Sequence, residues 1–538
     1  MKRRNVRASV AVMAVMATMS LAAGCGSSSD SGAGAKASTS STGARSYVEG
    51  MIGTDAGGTA VDGGTITFSG FSEPASLDPT KTIAAGSTGG TEMAAVYDTL
   101  MRYDAATKGF VPEMAESLTP NGDHSEWTLK LRKGVKFSDG STLDAAAVKW
   151  SQERYVTNSG PEKALWAANV ASISTPDDST VVYKLNGPWV LFPSILSTGP
   201  GMIVGKASDA GSTFKPVGAG PFTFGSWKPQ EEMILNANPT YWDGKPHLAS
   251  VRSVFLSDQQ TSADSLTSGA VDIAFMRDPD KVDKLLDAKT SGYMNLVAAS
   301  NVAVINAEDG HPGHDVRVRK AMALAINTDL IRERSTEGHG LAGSTIFPSY
   351  SQWHGATEGL AYDPTAAKKL LDEAKADGYD GKITYSDQSD PVSRAIALVV
   401  KANLEAVGFK VELSLDRTVA DTIAKVAVNH DYDFSGWGLS FREGDPFSKM
   451  YSTTDSKSPA NLGMATSPEM DKLLEQFKAA ADPAEQKKIM DQIQQLSNEQ
   501  VSYLNWGAVA EYNAWNSKVH GVVGGMNSIV LLGKAWKG

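Results

Sequence analysis

The sequence predicts a mixed α/β or α+β protein of more than one lobe, and three observations predict it. Short strand-like stretches are scattered among amphipathic helices without strict alternation. The chain has 538 residues, more than one hydrophobic core fills. Hydrophobic residues make up 41% and charged residues 21%, the balance of a globular protein rather than a disordered or fibrous one. No internal repeat is visible.

The amino terminus stands apart. Lys2, Arg3, Arg4 and Arg7 precede an apolar run over about residues 8–19, followed by Leu21-Ala22-Ala23-Gly24-Cys25. A basic start, a short apolar core and small residues at the end predict a secretory signal over residues 1–24. The run is shorter than the roughly 20 apolar residues a bilayer span needs. Cys25 is the only cysteine, which excludes an intramolecular disulfide and any multi-cysteine metal site. Small residues before a lone cysteine resemble the lipobox of bacterial lipoproteins, which implies lipidation of Cys25 and anchoring on the extracytoplasmic face of the cell membrane. Leu21 stands four places before the cysteine, where the commoner lipobox has leucine three before.

Removing residues 1–24 takes away four basic and no acidic residues, so the formal charge moves from -11 to -15. That balance excludes non-specific nucleic-acid binding, and a monomer held by acyl chains is expected. Residues 25–59 are rich in Ser, Gly, Ala and Thr and are expected to be a flexible tether.

The folded body is expected from about residue 60. Ile66 and Phe68 alternate with threonines as in a half-buried strand, and Trp127-Thr128-Leu129-Lys130-Leu131 reads the same way. Further strands are expected at 180–185, 233–236 and 410–415. Asp363-Pro364, Asp390-Pro391, Ser467-Pro468 and Asp482-Pro483 each place a capping residue before a proline at the first helical position. The second of these helices runs through Ile396, Val399, Val400 and Leu404 and stops at Gly408. Two more helices are expected to start at Asp144 and near Asp315.

Catalytic patterns fail one by one. There is no Gly-x-Ser-x-Gly elbow, no phosphate loop and no His-Glu-x-x-His. Gly218-Ala219-Gly220-Pro221-Phe222 reads as a turn entering a strand. Ser212-Thr213-Phe214-Lys215 lacks the companions that Ser-x-x-Lys enzymes carry. His311 and His314 are two potential ligands without a third. A carboxylate pair for glycoside hydrolysis has no fixed spacing, so a secreted hydrolase stays open as an alternative. No cofactor, metal or catalytic residue is expected.

The body resembles the peptide- and nickel-binding proteins of bacterial ABC importers, solute-binding family 5, over about residues 63–520. The resemblance rests on Ser76-Leu77-Asp78-Pro79, Val96-Tyr97-Asp98-Thr99-Leu100 and, most specifically, Trp127 to Gly140 continuing into Ala147-Val148-Lys149-Trp150-Ser151 and Arg154. It continues through Gly220-Pro221-Phe222, Asn238-Pro239-Thr240-Tyr241-Trp242-Asp243-Gly244, Leu266-Thr267-Ser268-Gly269-Ala270-Val271-Asp272 and the helix after Asp315. Most of these residues read as scaffold: turns, packing aromatics and arginines that pair with carboxylates between elements. The resemblance implies a three-lobed, periplasmic-binding-protein-like α/β fold of the large peptide-binding type. Domain I would comprise residues 60–100, 217–298 and 500–538, domain II 101–216 and domain III 299–499.

It also implies a solute, an oligopeptide or dipeptide first, delivered to permease and ATPase subunits. Two stretches would frame it: Phe71-Ser72-Glu73, and the loop Trp437, Gly438, Ser440, Phe441, Arg442, Glu443, with Phe347 and Trp353 as further stacking surface. Peptide-binding members commonly carry an aspartate three residues after that tryptophan, to pair with the ligand's ammonium. Here that residue is Ser440, and Glu443 or Glu73 is expected to substitute. A serine alone would suit a non-peptide solute, such as an oligosaccharide, a nickel chelate or a siderophore.

Overall fold

The computed structural model describes residues 45–53, 57–256 and 258–538. The predicted signal and Cys25 lie outside the described residues.

A 13-stranded mixed sheet runs through the described body. Two long antiparallel strands, Ser291–Ile305 and Tyr503–Trp515, form its middle and pair along most of their length. On one side the sheet continues through Phe434–Trp437 and Lys382–Gln388 to Lys410–Asp416, these three being mutually parallel. On the other it continues through Ile273–Met276 and Thr65–Ser69 to Ser250–Val254, again parallel, then to an antiparallel hairpin at the edge. Two parallel clusters therefore flank one antiparallel pair. A separate four-stranded antiparallel sheet, Ala115–Pro120, Glu126–Leu131, Thr180–Leu185 and Val170–Asp177, lies within the stretch expected to be domain II.

The capping devices read from the sequence operate as expected. Asp363, Asp390, Ser467 and Asp482 each accept backbone N–H bonds at the starts of Pro364–Ala376, Pro391–Val407, Pro468–Ala479 and Pro483–Gln500. Each such cap contributes about 1 kcal/mol. Gly408 ends the second helix at φ 106°, a conformation that a side chain would strain. Gly218 and Gly220 pass so close to the Gly90–Tyr97 helix that a Cβ would stand 2.2 Å and 2.6 Å from its carbonyl oxygens, which is why the glycine turn precedes the Phe222–Lys228 strand.

The family-like blocks are indeed scaffold. Asp78 receives both terminal nitrogens of Arg154 at 2.9 and 2.8 Å, so two separate blocks meet in one buried ion pair. Burial opposes ionisation of Asp78, but the guanidinium more than offsets it and holds the carboxyl below its ordinary range. Asn238 donates to the Gly220 carbonyl at 2.9 Å, and Asp272 accepts from the Thr67 N–H at 2.9 Å and Lys537 at 2.8 Å. One apolar cluster runs from Leu129, Tyr183 and Phe192 of the second sheet's lobe into Phe347, Phe441 and Phe477.

The expected tether is shorter than its composition suggests. Gly50–Ile52 adds an edge strand to Ser291–Ile305, in register from Gly50 opposite Met294 to Ile52 opposite Gly292. Tyr47 is buried and donates to Asp283 at 2.7 Å, while Arg45 reaches Asp283 and Asp287. Burying a side chain of that size contributes roughly 2 kcal/mol, enough to hold a short segment that its low-complexity surroundings disguise. Glu49 accepts from the Leu296 N–H at 3.1 Å; burial, and then the nearby Glu443 carboxylate, push its pKa up to about 8.

Candidate functional site

In open α/β sheets solutes bind in the crevice beyond the carboxyl ends of parallel strands. This protein has two such edges, one from each parallel cluster. At the first, Lys382–Gln388 and Phe434–Trp437 end in Gln388 and Trp437. There a cleft of about 370 Å³ opens, lined among others by Trp437, Trp506, Asp387, Ser393 and Asn301. That volume suits a small solute.

Its chemistry is aromatic and mostly neutral. Asp387 accepts from the Tyr385 hydroxyl at 2.6 Å and the Gln388 N–H at 2.7 Å, and burial pushes its pKa up despite those bonds. Gly436 has no side chain because a Cβ there would stand 2.3 Å from that carboxylate. Beyond Trp437 the chain turns through Gly438 to Ser440, which takes φ 62° and places its hydroxyl 3.5 Å from that of Ser300. Opposite it the Ser291–Ile305 strand bulges between Val297 and Asn301, with Ala299 at φ 47°. Bulges of this kind re-aim side chains beside binding sites.

The second edge follows Thr65–Ser69. Phe71 meets Phe275 edge-on at 5.7 Å, and the Arg277 guanidinium lies 5.4 Å from its ring centre. Gly86 passes this wall so closely that a Cβ would meet the Ser528 carbonyl at 2.2 Å. Arg442 joins it from the Trp437 loop, donating to Glu511 at 2.7 Å and to Ser528 at 3.3 Å. Burial opposes ionisation of Glu511, but Arg442 and then Arg277 outweigh it, so the carboxyl stays below its ordinary range.

The expected site residues divide accordingly. Phe71, Trp437, Gly438, Ser440 and Arg442 lie on the two edges, partly open. Ser72 is exposed and donates to the Ser87 carbonyl at 2.7 Å. Three aromatics are corrected to core positions: Phe347 and Phe441 pack together at 6.2 Å, and Trp353 meets Phe477 at 5.3 Å with its N–H on the Glu443 carbonyl. Their apolar area is worth more inside than facing a cleft.

Both expected substitute carboxylates are engaged by other groups. Glu73 is held by the Trp227 indole at 2.6 Å and the Gln230 N–H at 3.1 Å, which ties it to the edge hairpin. Glu443 is buried against the Gln352 N–H at 3.2 Å, and burial pushes its pKa up. Asp445 caps the Pro446–Thr454 helix and receives the Ser194 hydroxyl at 2.5 Å, a fastening rather than a ligand contact.

Sequence reasoning missed Arg277, Asp387, Trp506 and Glu511. The first two had a signal: Arg277 follows a strand and Asp387 lies near the end of one, each shortly before an Asp-Pro pair, at Asp278-Pro279 and Asp390-Pro391. Trp506 and Glu511 lie within a long buried strand whose pattern does not separate site from core. Among the described residues no group of three His, Cys, Asp or Glu is placed to hold a metal, and His311 binds Asp433 instead. A partly open cavity of about 50 Å³ near Gln494 and Tyr503 is small.

A family model described as bacterial extracellular solute-binding proteins, family 5 Middle, matches residues 109–460. The chain belongs to this family. Family 5 proteins bind solutes and are not enzymes, and they work outside the cytoplasm. Among similar proteins, the probable D,D-dipeptide-binding periplasmic protein DdpA of Escherichia coli K12 is 27% identical over 485 residues, covering 84% of this chain and 90% of that protein. A dipeptide-binding protein from Pseudoalteromonas sp. SM9913, solved with Met-Leu, superposes with a TM-score of 0.74 at 21% identity, covering 88% of this chain and 100% of that one. The AgaA protein of A. tumefaciens R10, solved with agropinic acid, gives 0.73 at 26% identity, covering 87% and 96%. As a family 5 fold the described body is multi-lobed, and among the described residues no helix is long and apolar enough to cross a membrane.

Proposed function

We propose that this family 5 protein captures an oligopeptide or dipeptide outside the cytoplasm and hands it to the permease and ATPase subunits of an ABC importer. The observation that carries this is the pair of carboxyl edges joined by the two long strands, with Trp437 on one and Phe71 on the other. In this reading the three lobes take the residue ranges expected from the sequence, and closing about Ser291–Ile305 and Tyr503–Trp515 encloses the solute. Similarity to proteins named for dipeptides, glutathione and ABC-transported peptides supports peptide as the solute. Lipidation of Cys25 would hold the protein at the membrane through a tether ending near Arg45.

A second reading, a non-peptide solute, is favoured by one observation: Ser440 stands where an ammonium partner is expected, and the two candidate carboxylates, Glu73 and Glu443, are held by other groups. The resemblance to a protein solved with agropinic acid points the same way. Mass spectrometry of solute released from the purified protein separates the two. Peptide fragments are expected; a released sugar or chelate, with no peptide bound in calorimetry, overturns the first reading. Membrane retention of a Cys25→Ser variant would overturn the anchor.

A further inference from the structure

Asp283 is a meeting point of three segments. It lies in the Pro279–Asp287 helix, which leads into the long Ser291–Ile305 strand, and it is buried. Its Oδ1 accepts the Tyr47 hydroxyl at 2.7 Å and the Arg45 Nη1 at 3.3 Å, both from the docked segment 45–52. Its Oδ2 lies 2.6 Å from His339 Nδ1. One carboxylate thus joins groups that are far apart in sequence.

The third segment stands across a bend. The long antiparallel pair shifts register between Val297 and Asn301, so two regular stretches meet at a bulge. Gly50–Ile52 pairs with residues 292–294, before that bulge. His339 follows the Thr328–Thr336 helix and precedes Leu341–Ala342, which pairs with Ala508 and Gly507 at the bulge itself. That helix belongs to the far side: the N–H of its capping residue Asn327 donates to Asn403 in the Pro391–Val407 helix at 2.8 Å. The His339 turn rests on the Asp283 helix, since Gly340 takes φ 89° and a Cβ there would stand 3.0 Å from Pro279. In the proposed division of lobes, Asp283 belongs to domain I and His339 to domain III.

In that division the lobes stand together in this structure. The Asp78–Arg154 pair fixes domain II to domain I. Domain III meets domain II through the Val190 N–H on the Lys478 carbonyl at 2.9 Å, the Lys478 ammonium on Asn169 at 3.0 Å, and Trp189 edge-on to Phe447 at 5.9 Å. Those contacts need domain III swung in, and the Asp283 bonds are made at the same lobe angle. Hydrogen bonds weaken steeply once their geometry is lost, so a carboxylate bridging a bend favours the angle at which its bonds are complete.

We infer that residues 45–52 are a latch on closure. By holding Oδ1 of Asp283, Arg45 and Tyr47 keep its Oδ2 on His339 and so favour the arrangement in which domain III meets domain II. The inference rests on the lobes of the binding-protein reading and adds a control to them. Such coupling is reciprocal. Closure about a solute seats the latch more firmly, and freeing the latch favours opening and release.

The test is deuterium exchange on the protein as purified, with no solute added, at one fixed pH. Tyr47→Phe keeps the buried ring and removes only the hydroxyl on Asp283. It is expected to quicken exchange at residues 45–52 and also, by at least about fivefold, at residues 186–197, where the Val190 N–H meets domain III. His339→Gln should quicken residues 186–197 by a similar factor. Combining the two should add little, because both act through one carboxylate. The Glu126–Leu131 strand of domain II should not change. Residues 186–197 unprotected from the start, or indifferent to both substitutions, would overturn the latch and show segment 45–52 to be a passive cover. Effects that simply add in the double variant would overturn it too, as would equal quickening of Glu126–Leu131, the mark of general loosening. None of these results touches the binding reading, which the released solute decides.

Discussion

The two carboxyl edges are built alike and charged differently. Each ends a parallel cluster, each carries an aromatic at its rim, and each holds a buried acid behind that rim. Behind Trp437, Asp387 meets only neutral donors, so burial wins and its pKa rises. Behind Phe71, Glu511 meets two guanidiniums, so charge wins and its pKa falls. One backbone device therefore sets one buried acid among neutral donors and another among guanidiniums. Position in the fold makes a crevice; the partners of one carboxyl decide what it can hold.

The sharpest way to break that contrast is to neutralise the two acids in turn. Glu511→Gln leaves Arg442 without its buried partner and should cost about 3 kcal/mol of stability, read by denaturant unfolding. Asp387→Asn keeps most of its hydrogen bonding and should cost about 1 kcal/mol. The pH dependence follows opposite signs. The folded pKa of Glu511 is depressed, so its contribution is present above the unfolded value of 4.5 and lost as pH falls through the folded one. The folded pKa of Asp387 is raised, so its contribution is full below 3.8 and declines as pH rises through the folded value. Equal costs and parallel pH profiles for the two variants would erase the distinction.

A smaller effect probes the aromatic wall alone. Trp437→Ala should weaken solute binding by about tenfold, roughly 1.4 kcal/mol, without altering the melting temperature by more than a few degrees. Unchanged affinity would take Trp437 out of the site and leave the charged wall as the whole of recognition.

The smallest effect concerns the edge strand Gly50–Ile52. Glu49, with its pKa pushed up from 4.5 to about 8, favours the docked strand when protonated. Docking should be firm below pH 4.5 and loosen as pH rises through about 8. Hydrogen exchange at residues 45–52, relative to its intrinsic rate, should therefore quicken between pH 4.5 and about 8, and Glu49→Gln should flatten that rise. A profile unchanged by the substitution would assign the docking to Tyr47 and Arg45 instead.

What was legible in the sequence was local or carried by extended blocks. Asp-Pro caps, the Gly408 stop and the alternation around Ile66 act within a few residues, so each became the element it predicted. The quoted blocks identified the family because their glycines, prolines and paired charges serve a shared scaffold, as Asp78 and Arg154 do across 76 positions. Composition misled where burial overrode it: in a serine- and glycine-rich stretch Tyr47 is buried and Gly50–Ile52 joins the sheet.

The sequence by itself determined the mixed class and the helix starts at Asp144, Asp315, Asp363, Asp390, Ser467 and Asp482, and its family resemblance offered Trp437 and Phe71 as candidate site residues. Only the tertiary structure decided which aromatics face the cleft, since Phe347, Trp353 and Phe441 differ from Trp437 by burial alone and not by any local pattern. It alone paired Arg442 with Glu511, 69 positions away. Local propensity is written in neighbouring residues, whereas desolvation and charge balance are sums over everything that folding brings near.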